Sequence, residues 1–360
     1  MRIGVFDPYL DDLGGGEKYM MFLASYLSQK HEVTVFWDRR EDVDALKKRF
    51  GISTEKIIVS KNIFSPLVSF LEKIKAFRKY DAFIILSDGS IPFVFPKKLY
   101  LHIQQPLPNH SSNFKNKVKR KHISAIFYNS QFTKKFNDPL FSGVKSTVIY
   151  PPVSLESRSK NQEVRKENVI LHVGRFRVKN IASEDYKKQG FMIKSFKRLV
   201  DGGLGNWEFY LASSIKKEDE EAFEVVKDNA KGYPIAFHIN KTNKELFDLY
   251  SKAKIYWHAS GYGEDIQKHP ELAEHFGMTT VEAMGSGAVP VVINSGGQKE
   301  IVTDGENGLL WNTLEELLQQ TKWLANDEKL WHELSQNAQI RAKDFSEERF
   351  CHEVQRLITE

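Results

Sequence analysis

Residues 146–173 read STVIYPPVSLESRSKNQEVRKENVILHV, and the way this stretch breaks in the middle decides the architecture. Ser146–Tyr150 is a short apolar run with β-branched residues, which reads as a buried strand. Pro151-Pro152-Val153 stops it, because consecutive prolines offer no backbone N–H to a sheet. From Ser154 to Asn168 the chain is polar and lacks apolar periodicity, as a linker does. At Val169–Val173 a second buried strand begins.

On both sides of this break, strands alternate with helices. Toward the N-terminus lie Arg2–Phe6, a glycine run, a helix from Glu17 to about Gln29, and Glu32–Trp37. Further apolar runs follow at Ala82–Leu86, Lys98–Ile103 and Ala125–Tyr128. Toward the C-terminus the strands are Trp207–Leu211, Ile235–Ile239, Ile255–His258, Val289–Ile293 and Gly308–Trp311. Between them run helices such as Phe191–Leu199, Asn243–Ala253 and Thr279–Gly285. Such alternation implies parallel sheets covered on both faces. The expected division is an α/β domain over 1–153, a linker over 154–168 and a second α/β domain over 169–340. A C-terminal helix over 341–360 is expected to pack back toward the first domain.

Composition bounds the function. The chain has 360 residues, more than one core usually organises, with 41% hydrophobic and 28% charged residues, as in a folded soluble protein. The single cysteine, Cys351, excludes an internal disulfide and a cysteine-based zinc site and fits a reducing compartment. The N-terminus MRIGVFDPYL lacks the apolar core of a signal peptide, and no run of about 18 apolar residues exists to span a membrane. A cytoplasmic location is expected. The net charge of +5 is modest, and no nucleic-acid partner is expected. Its excess gathers in Lys73–Lys79 and Lys115–Lys121. These runs read either as solvated helix faces or as a surface for an anionic membrane or phosphorylated acceptor. Leu67, Val68, Leu71, Ile74 and Phe77 fall at helical spacing beside the first run, a pattern that a buried face shares.

Two motifs carry chemistry. Leu13-Gly14-Gly15-Gly16-Glu17 joins the first strand to the first helix. Glycines there allow close backbone approach, and a helix N-terminus offers free N–H groups to an anion. Asp38, about 20 residues on, suggests a dinucleotide fingerprint, but the third small residue is replaced by Tyr19. A plain tight turn and a phosphate or sugar contact remain. The second motif is Glu274-His-Phe276-Gly277-Met278-Thr279-Thr280-Val-Glu282, with Gly285 and Gly287 beyond. Thr279 is placed to cap a helix whose N–H groups suit a diphosphate. Thr279-x-x-Glu282 is also a capping box, which explains Glu282 without a ligand but leaves Glu274 and Phe276-Gly277 unexplained.

The Glu274–Gly287 motif, followed by Val289-Pro290-Val291-Val292 and Gly296-Gly297-Gln298-x-Glu300, resembles glycosyltransferase family 4 and its Glu-x7-Glu motif. His172-Val-Gly174-Arg175, Lys187–Phe196 and Asn307–Leu310 extend the resemblance. It implies a GT-B fold, two Rossmann-like domains facing each other across a cleft, and a retaining hexosyltransferase. It further implies that Glu282 binds the donor ribose and Glu274 the transferred sugar. Phe276, Gly277, Met278 and Thr279 would line sugar and diphosphate through backbone N–H groups. Arg175 and Lys187, with Lys188 a near alternative, would neutralise the leaving diphosphate, the charge that such a departure builds. Gly15 and Gly16 resemble the family's glycine loop near the donor phosphate, and His102 its histidine near the donor sugar.

The implied substrates are a GDP- or UDP-linked sugar and a glycan or polyprenyl-linked acceptor, met at the inner face of the cell membrane. No cofactor or metal is expected. An insert at Gly261–Pro270, longer than is typical of the family, lies beside the donor site and is expected to shape substrate choice. Glu264, Asp265 and His269 within it suggest a metal only weakly. The alternative from another class is a nucleotide-binding partner subunit without transfer activity.

Overall fold

The computed structural model describes residues 1–12, 14–91, 96–107, 120–155, 165–177 and 185–359. Most of the Lys115–Lys121 run and of the 154–168 linker therefore lies outside the described residues. The chain divides into two compact units: Met1–Pro152 with Glu347–Glu360, and Val153–Ser346.

The first unit holds a parallel sheet of β1 (Arg2–Phe6), β2 (Glu32–Phe36), β3 (Ile57–Ser60), β4 (Ala82–Leu86), β5 (Lys98–Ile103), β6 (Ala125–Tyr128) and β7 (Ser146–Val148). Their order is β3-β2-β1-β4-β5-β6-β7. Its helices are α1 (Gly15–Leu27), α2 (Arg40–Phe50), α3 (Phe70–Phe77) and α4 (Gln131–Asn137). β4 is buried at every position because helices cover both faces. α1 turns Tyr19, Met20, Leu23, Ala24 and Leu27 onto Ile3, Val5, Ile84 and Leu86. That is the apolar stripe of an amphipathic helix. The other face of the sheet is rich in aromatic residues, with Phe36, Phe77 and Phe83 at its centre.

The second unit repeats the plan with β8 (Glu167–Arg175), β9 (Glu208–Ser214), β10 (Ile235–Ile239), β11 (Ala253–His258), β12 (Val289–Ile293) and β13 (Leu309–Trp311). The order is β10-β9-β8-β11-β12-β13, again parallel throughout. Around it lie α5 (Gln189–Asp201), α6 (Glu220–Asp228), α7 (Asn243–Lys252), α8 (Met278–Gly285), α9 (Gln298–Ile301), α10 (Leu314–Asn326) and α11 (Glu328–Ala342). Both sheets thus have the Rossmann strand order, and each changes direction at one point, β1/β4 and β8/β11. Ligands of such sheets bind beyond the carboxyl ends of the strands at that point.

Several boundaries move. β8 starts at Glu167, two residues before the expected strand. Lys166 holds its base, donating to the carbonyls of Tyr250, Ala253 and Ser286 at 3.1, 2.9 and 2.7 Å. These carbonyls end α7 and α8, where a cation is favoured; burial nonetheless pushes the Lys166 pKa down to about 7. The second unit runs to Ser346, and the tail is not one helix over 341–360. A short turn at Lys343–Phe345 separates α11 from α12 (Glu347–Thr359). Phe350, Val354, Leu357 and Ile358 of α12 join the core under α1.

Candidate functional site

In the second unit the carboxyl ends of β8 and β11 carry a tight charged cluster. Glu274 lies in the loop between β11 and α8. Its Oε2 accepts hydrogen bonds from Lys187 Nζ at 2.5 Å and His258 Nε2 at 2.8 Å. Burial alone would raise the Glu274 carboxyl, but the Lys187 ammonium and the His258 hydrogen bond overcome it, holding the group well below the usual carboxylate range. Lys187 shows the converse: burial pulls its pKa down and Glu274 more than restores it, leaving it raised. Burial lowers the pKa of His258, so the ring is neutral and donates through Nε2. No hydrogen bond among the described residues reaches Glu274 Oε1. One carboxylate oxygen is fixed and the other is available.

The loop carrying Glu274 is held by close backbone packing. Gly297 N–H donates to the Glu274 carbonyl at 2.8 Å. A Cβ on Gly296 would lie 2.3 Å from that carbonyl oxygen, and one on Gly297 2.4 Å from Phe276 Cα. Glycine at both positions is a steric requirement. Phe276 is buried, its ring packed against Phe345 at 5.4 Å.

The start of α8 corrects the capping box read from sequence. The N-cap is Gly277, in the left-handed region at φ 117°, and Thr279 lies inside the helix. Met278 and Thr279, both half-buried, form the first turn, whose N–H groups lack intrahelical partners. Thr279 Oγ1 instead accepts from the Tyr256 hydroxyl at 2.7 Å, and Glu282 accepts from the Tyr250 hydroxyl at 2.9 Å. Glu282 is therefore an acid on a helix face, not the reciprocal partner of a cap.

Gly277 also has no room for a side chain, since a Cβ would meet Gln298 Nε2 at 2.7 Å. Gln298 is fully buried, and its amide finds no partner among the described residues. Gly277→Ala is expected to cost about 2 kcal/mol of stability in urea unfolding, from backbone strain and the clash. A loss below about 0.5 kcal/mol would mean that the turn relaxes freely.

The remaining candidates in this unit are more dispersed. Arg175 closes β8 and is exposed. Lys188 opens α5 in the left-handed region, at φ 59°. Its ammonium is engaged by Glu264 of the 261–270 insert at 2.6 Å. The same insert is anchored by Tyr262, stacked on Phe191 at 4.3 Å and beside Trp311 at 5.3 Å. Asp265 pairs with Lys268 and His269 with Glu271, at 3.1 and 3.2 Å.

In the first unit, Gly15 and Gly16 form the first turn of α1, capped by Gly14 N–H donating to Glu17 Oε2 at 2.6 Å. A Cβ on Gly16 would sit 2.3 Å from Gln104 Oε1. His102 is fully buried on β5, stacked between Tyr19 and Phe127 at 4.1 and 4.4 Å. Its Nδ1 bonds the Phe127 carbonyl at 2.9 Å, which places the proton on Nδ1 and leaves Nε2 an acceptor. Burial lowers its pKa to about 3. His172 on β8 repeats the arrangement, bonding the Trp257 carbonyl at 3.0 Å with a pKa lowered by burial to about 3.

Sequence reasoning did not single out His258, Tyr250, Tyr256 or the buried Gln298. His258 had one signal: it closes a strand, where site residues of parallel sheets gather.

Comparison with known proteins gives the family and the fold. The family described as "Glycosyl transferases group 1" matches residues 153–341. A Dictyostelium discoideum protein named GDP-Man:Man(3)GlcNAc(2)-PP-Dol alpha-1,2-mannosyltransferase is 22% identical, over 99% of this chain and 84% of its own. A Campylobacter jejuni protein is also 22% identical, over 96% of this chain and 95% of its own. It is named as an alpha-1,4-N-acetyl-D-galactosaminyltransferase acting on a diNAcBac-PP-undecaprenol glycan. Among solved structures, Anabaena HepE in complex with UDP superposes with a TM-score of 0.74 at 18% identity, covering 100% of both chains. Sucrose-phosphate synthase from Thermosynechococcus elongatus gives 0.72 at 15% identity, covering 100% of this chain and 98% of its own. The shared fold is GT-B, two Rossmann-like domains.

Proposed function

The chain belongs to the group 1 glycosyl transferases, and on that premise we propose that it moves a hexose, of mannose or glucose type, from a nucleotide-sugar to a hydroxyl of a lipid-linked glycan, with retention of configuration. The observation that carries this reading is the Lys187–Glu274–His258 cluster beside the open first turn of α8. It offers what a nucleotide-sugar needs: a carboxylate oxygen for sugar hydroxyls, N–H groups for a diphosphate and fixed positive charge.

In this mechanism the bond from the anomeric carbon to the diphosphate oxygen breaks, and the sugar passes through an oxocarbenium-like state. Arg175 and Lys187 stabilise the departing diphosphate, together with the backbone of Gly277, Met278 and Thr279. The acceptor oxygen attacks from the same face, and its proton passes to the leaving phosphate. Glu274 holds the sugar through Oε1 while Lys187 and His258 keep Oε2 in place. His102, with its proton on Nδ1, has Nε2 as an acceptor, so in the role proposed for it the ring would take a hydrogen bond from a hydroxyl and not give one to a phosphate. Within the first unit, Gly15 and Gly16 leave the start of α1 open to close approach by a phosphate. Lys188 reaches the diphosphate only by leaving Glu264. Fixed cations carry the charge, so no metal ion enters the scheme.

The names of the relatives favour a polyprenyl-linked acceptor. They leave GDP-mannose and UDP-linked hexoses both open as donors. The same fold without transfer activity, as a nucleotide-binding partner subunit, is disfavoured by the intact cluster.

Glu282 is proposed to bind the donor ribose. Glu282→Ala is expected to weaken nucleotide binding by about ten- to a hundredfold, the loss of a charge-assisted hydrogen bond. Thermal shift against GDP, UDP, ADP and dTDP measures it, since a ligand of the native state raises its stability by mass action. Unchanged affinity would reduce Glu282 to the partner of Tyr250.

A further inference from the structure

One buried acid takes no part in the scheme above. Asp7 directly follows β1, at the point where the first sheet changes direction, and is 1% exposed. Its Oδ1 accepts from the Tyr9 N–H at 2.8 Å. Its Oδ2 is buried and has no hydrogen-bond partner among the described residues. The charged groups that act on it, Glu17 and Asp11, are acids as well. Burial, with Glu17 beside it, pushes the Asp7 pKa up to about 8, so the carboxyl keeps its proton at neutral pH.

Such a group weakens the fold. A buried polar atom without a partner has lost its hydration and gained no bond in exchange. Unmet bonding of this kind gathers at sites that a ligand completes. The position agrees, because ligands of such sheets bind beyond the carboxyl ends of the strands where their order reverses.

The neighbours decide the ligand. An anionic group at Oδ2 would face Glu17 and Asp11. A hydroxyl is uncharged, and it both gives and takes a hydrogen bond. We infer that Asp7 binds a hydroxyl of the acceptor glycan through Oδ2. Tyr9 spans the exit it must use: its N–H is held by Asp7, and its hydroxyl reaches Asp88, beyond the end of β4, at 3.5 Å. That bond is at the outer limit of hydrogen bonding and Tyr9 is 44% exposed, so an incoming sugar displaces it at little cost. The inference deepens the proposed function and rests on it in one respect: with the transferred sugar assigned to Glu274, the hydroxyl at the first unit belongs to the acceptor.

The test follows two soluble probes, mannobiose and diacetylchitobiose, by saturation-transfer NMR on the full chain without any donor. The wild-type chain should bind at least one of them. Asp7→Ala should weaken that binding about tenfold, through the loss of one hydrogen bond. It should melt no lower than the wild type, because it deletes an unpaired buried acid. Asp7→Asn should bind within about threefold of wild type: its amide N–H replaces the acid O–H, and its carbonyl still accepts from Tyr9. A wild-type chain that binds neither probe overturns the inference. So does an Asp7→Ala variant that binds as well as wild type, or an Asp7→Asn variant as weak as Asp7→Ala. The proposed function is read separately, by nucleotide-induced stabilisation of the wild-type chain without either probe.

Discussion

Glu274→Gln is expected to lose both activity and stability, and the two losses should separate in a second variant. Removing the carboxylate charge leaves the Lys187 ammonium buried without its counter-ion, which costs about 3–5 kcal/mol when one partner of a buried pair is deleted. Sugar transfer should fall by about two to three orders of magnitude, because the sugar-binding oxygen and the placement of Lys187 are lost together. Combining Glu274→Gln with Lys187→Met removes both charges. The stranded ammonium is then gone, and most of the stability should return. Transfer should not return. Urea unfolding and product formation, measured on the two single variants and the double, give the coupling energy directly. A double variant that regains transfer would reduce the pair to scaffolding. His258→Gln provides a milder control, keeping a donor toward Glu274 and losing the imidazole.

The second large effect is on stability against pH, with opposite signs at two positions. Burial lowers the pKa of His172 to about 3, whereas an unfolded histidine titrates near its model value of 6.5. Between these values the unfolded chain binds the extra proton, so stability falls as pH falls. The loss is about 2 kcal/mol at pH 5. Asp7, buried at the carboxyl end of β1, behaves oppositely. Burial, with Glu17 nearby, raises its pKa from 3.8 to about 8. There the folded chain binds the extra proton, and stability falls as pH rises from about 4 to 8. His172→Gln should therefore flatten the acid limb of the stability curve. Asp7→Asn should add up to about 4 kcal/mol near pH 7 and little near pH 4. His102, with a pKa also near 3, opposes Asp7 within the first unit. Unfolding curves between pH 4 and 8 measure these slopes. Parallel curves for the wild type and either variant would show that the buried group does not titrate differently on folding.

What could be read in advance follows from burial. Ala82–Leu86 and Val289–Ile293 were legible to the residue, being the fully buried runs that inner positions of parallel sheets require, and Ile235–Ile239 was legible as an apolar run although it lies half-buried at a sheet edge. β3 and α2 went unread. β3 has four residues at the sheet edge, and Ile58 on it is half-exposed, so its pattern is weak. The start of α8 was misread because Thr279-x-x-Glu282 satisfies the capping rule locally. The actual start at Gly277 is imposed by Gln298 and by the loop at Gly296-Gly297, contacts that no local pattern carries. Lys187, Glu274 and Glu282 stood out through family resemblance. Their partners did not: His258, Tyr250 and Tyr256 are ordinary residues until the fold brings them to the acids. Likewise, nothing in the spacing indicated that Glu264, 76 residues away, holds Lys188.

The central claim is that this chain transfers a sugar from a nucleotide donor held at the Glu274 cluster. Its most direct test is nucleoside diphosphate release from a panel of GDP-, UDP-, ADP- and dTDP-sugars, with a crude lipid-linked glycan as acceptor. Release is predicted with one nucleotide class, dependent on acceptor and lowered by about two to three orders of magnitude in Glu274→Gln. Nucleotide binding without release from any donor would contradict transfer and leave a binding subunit of the same fold.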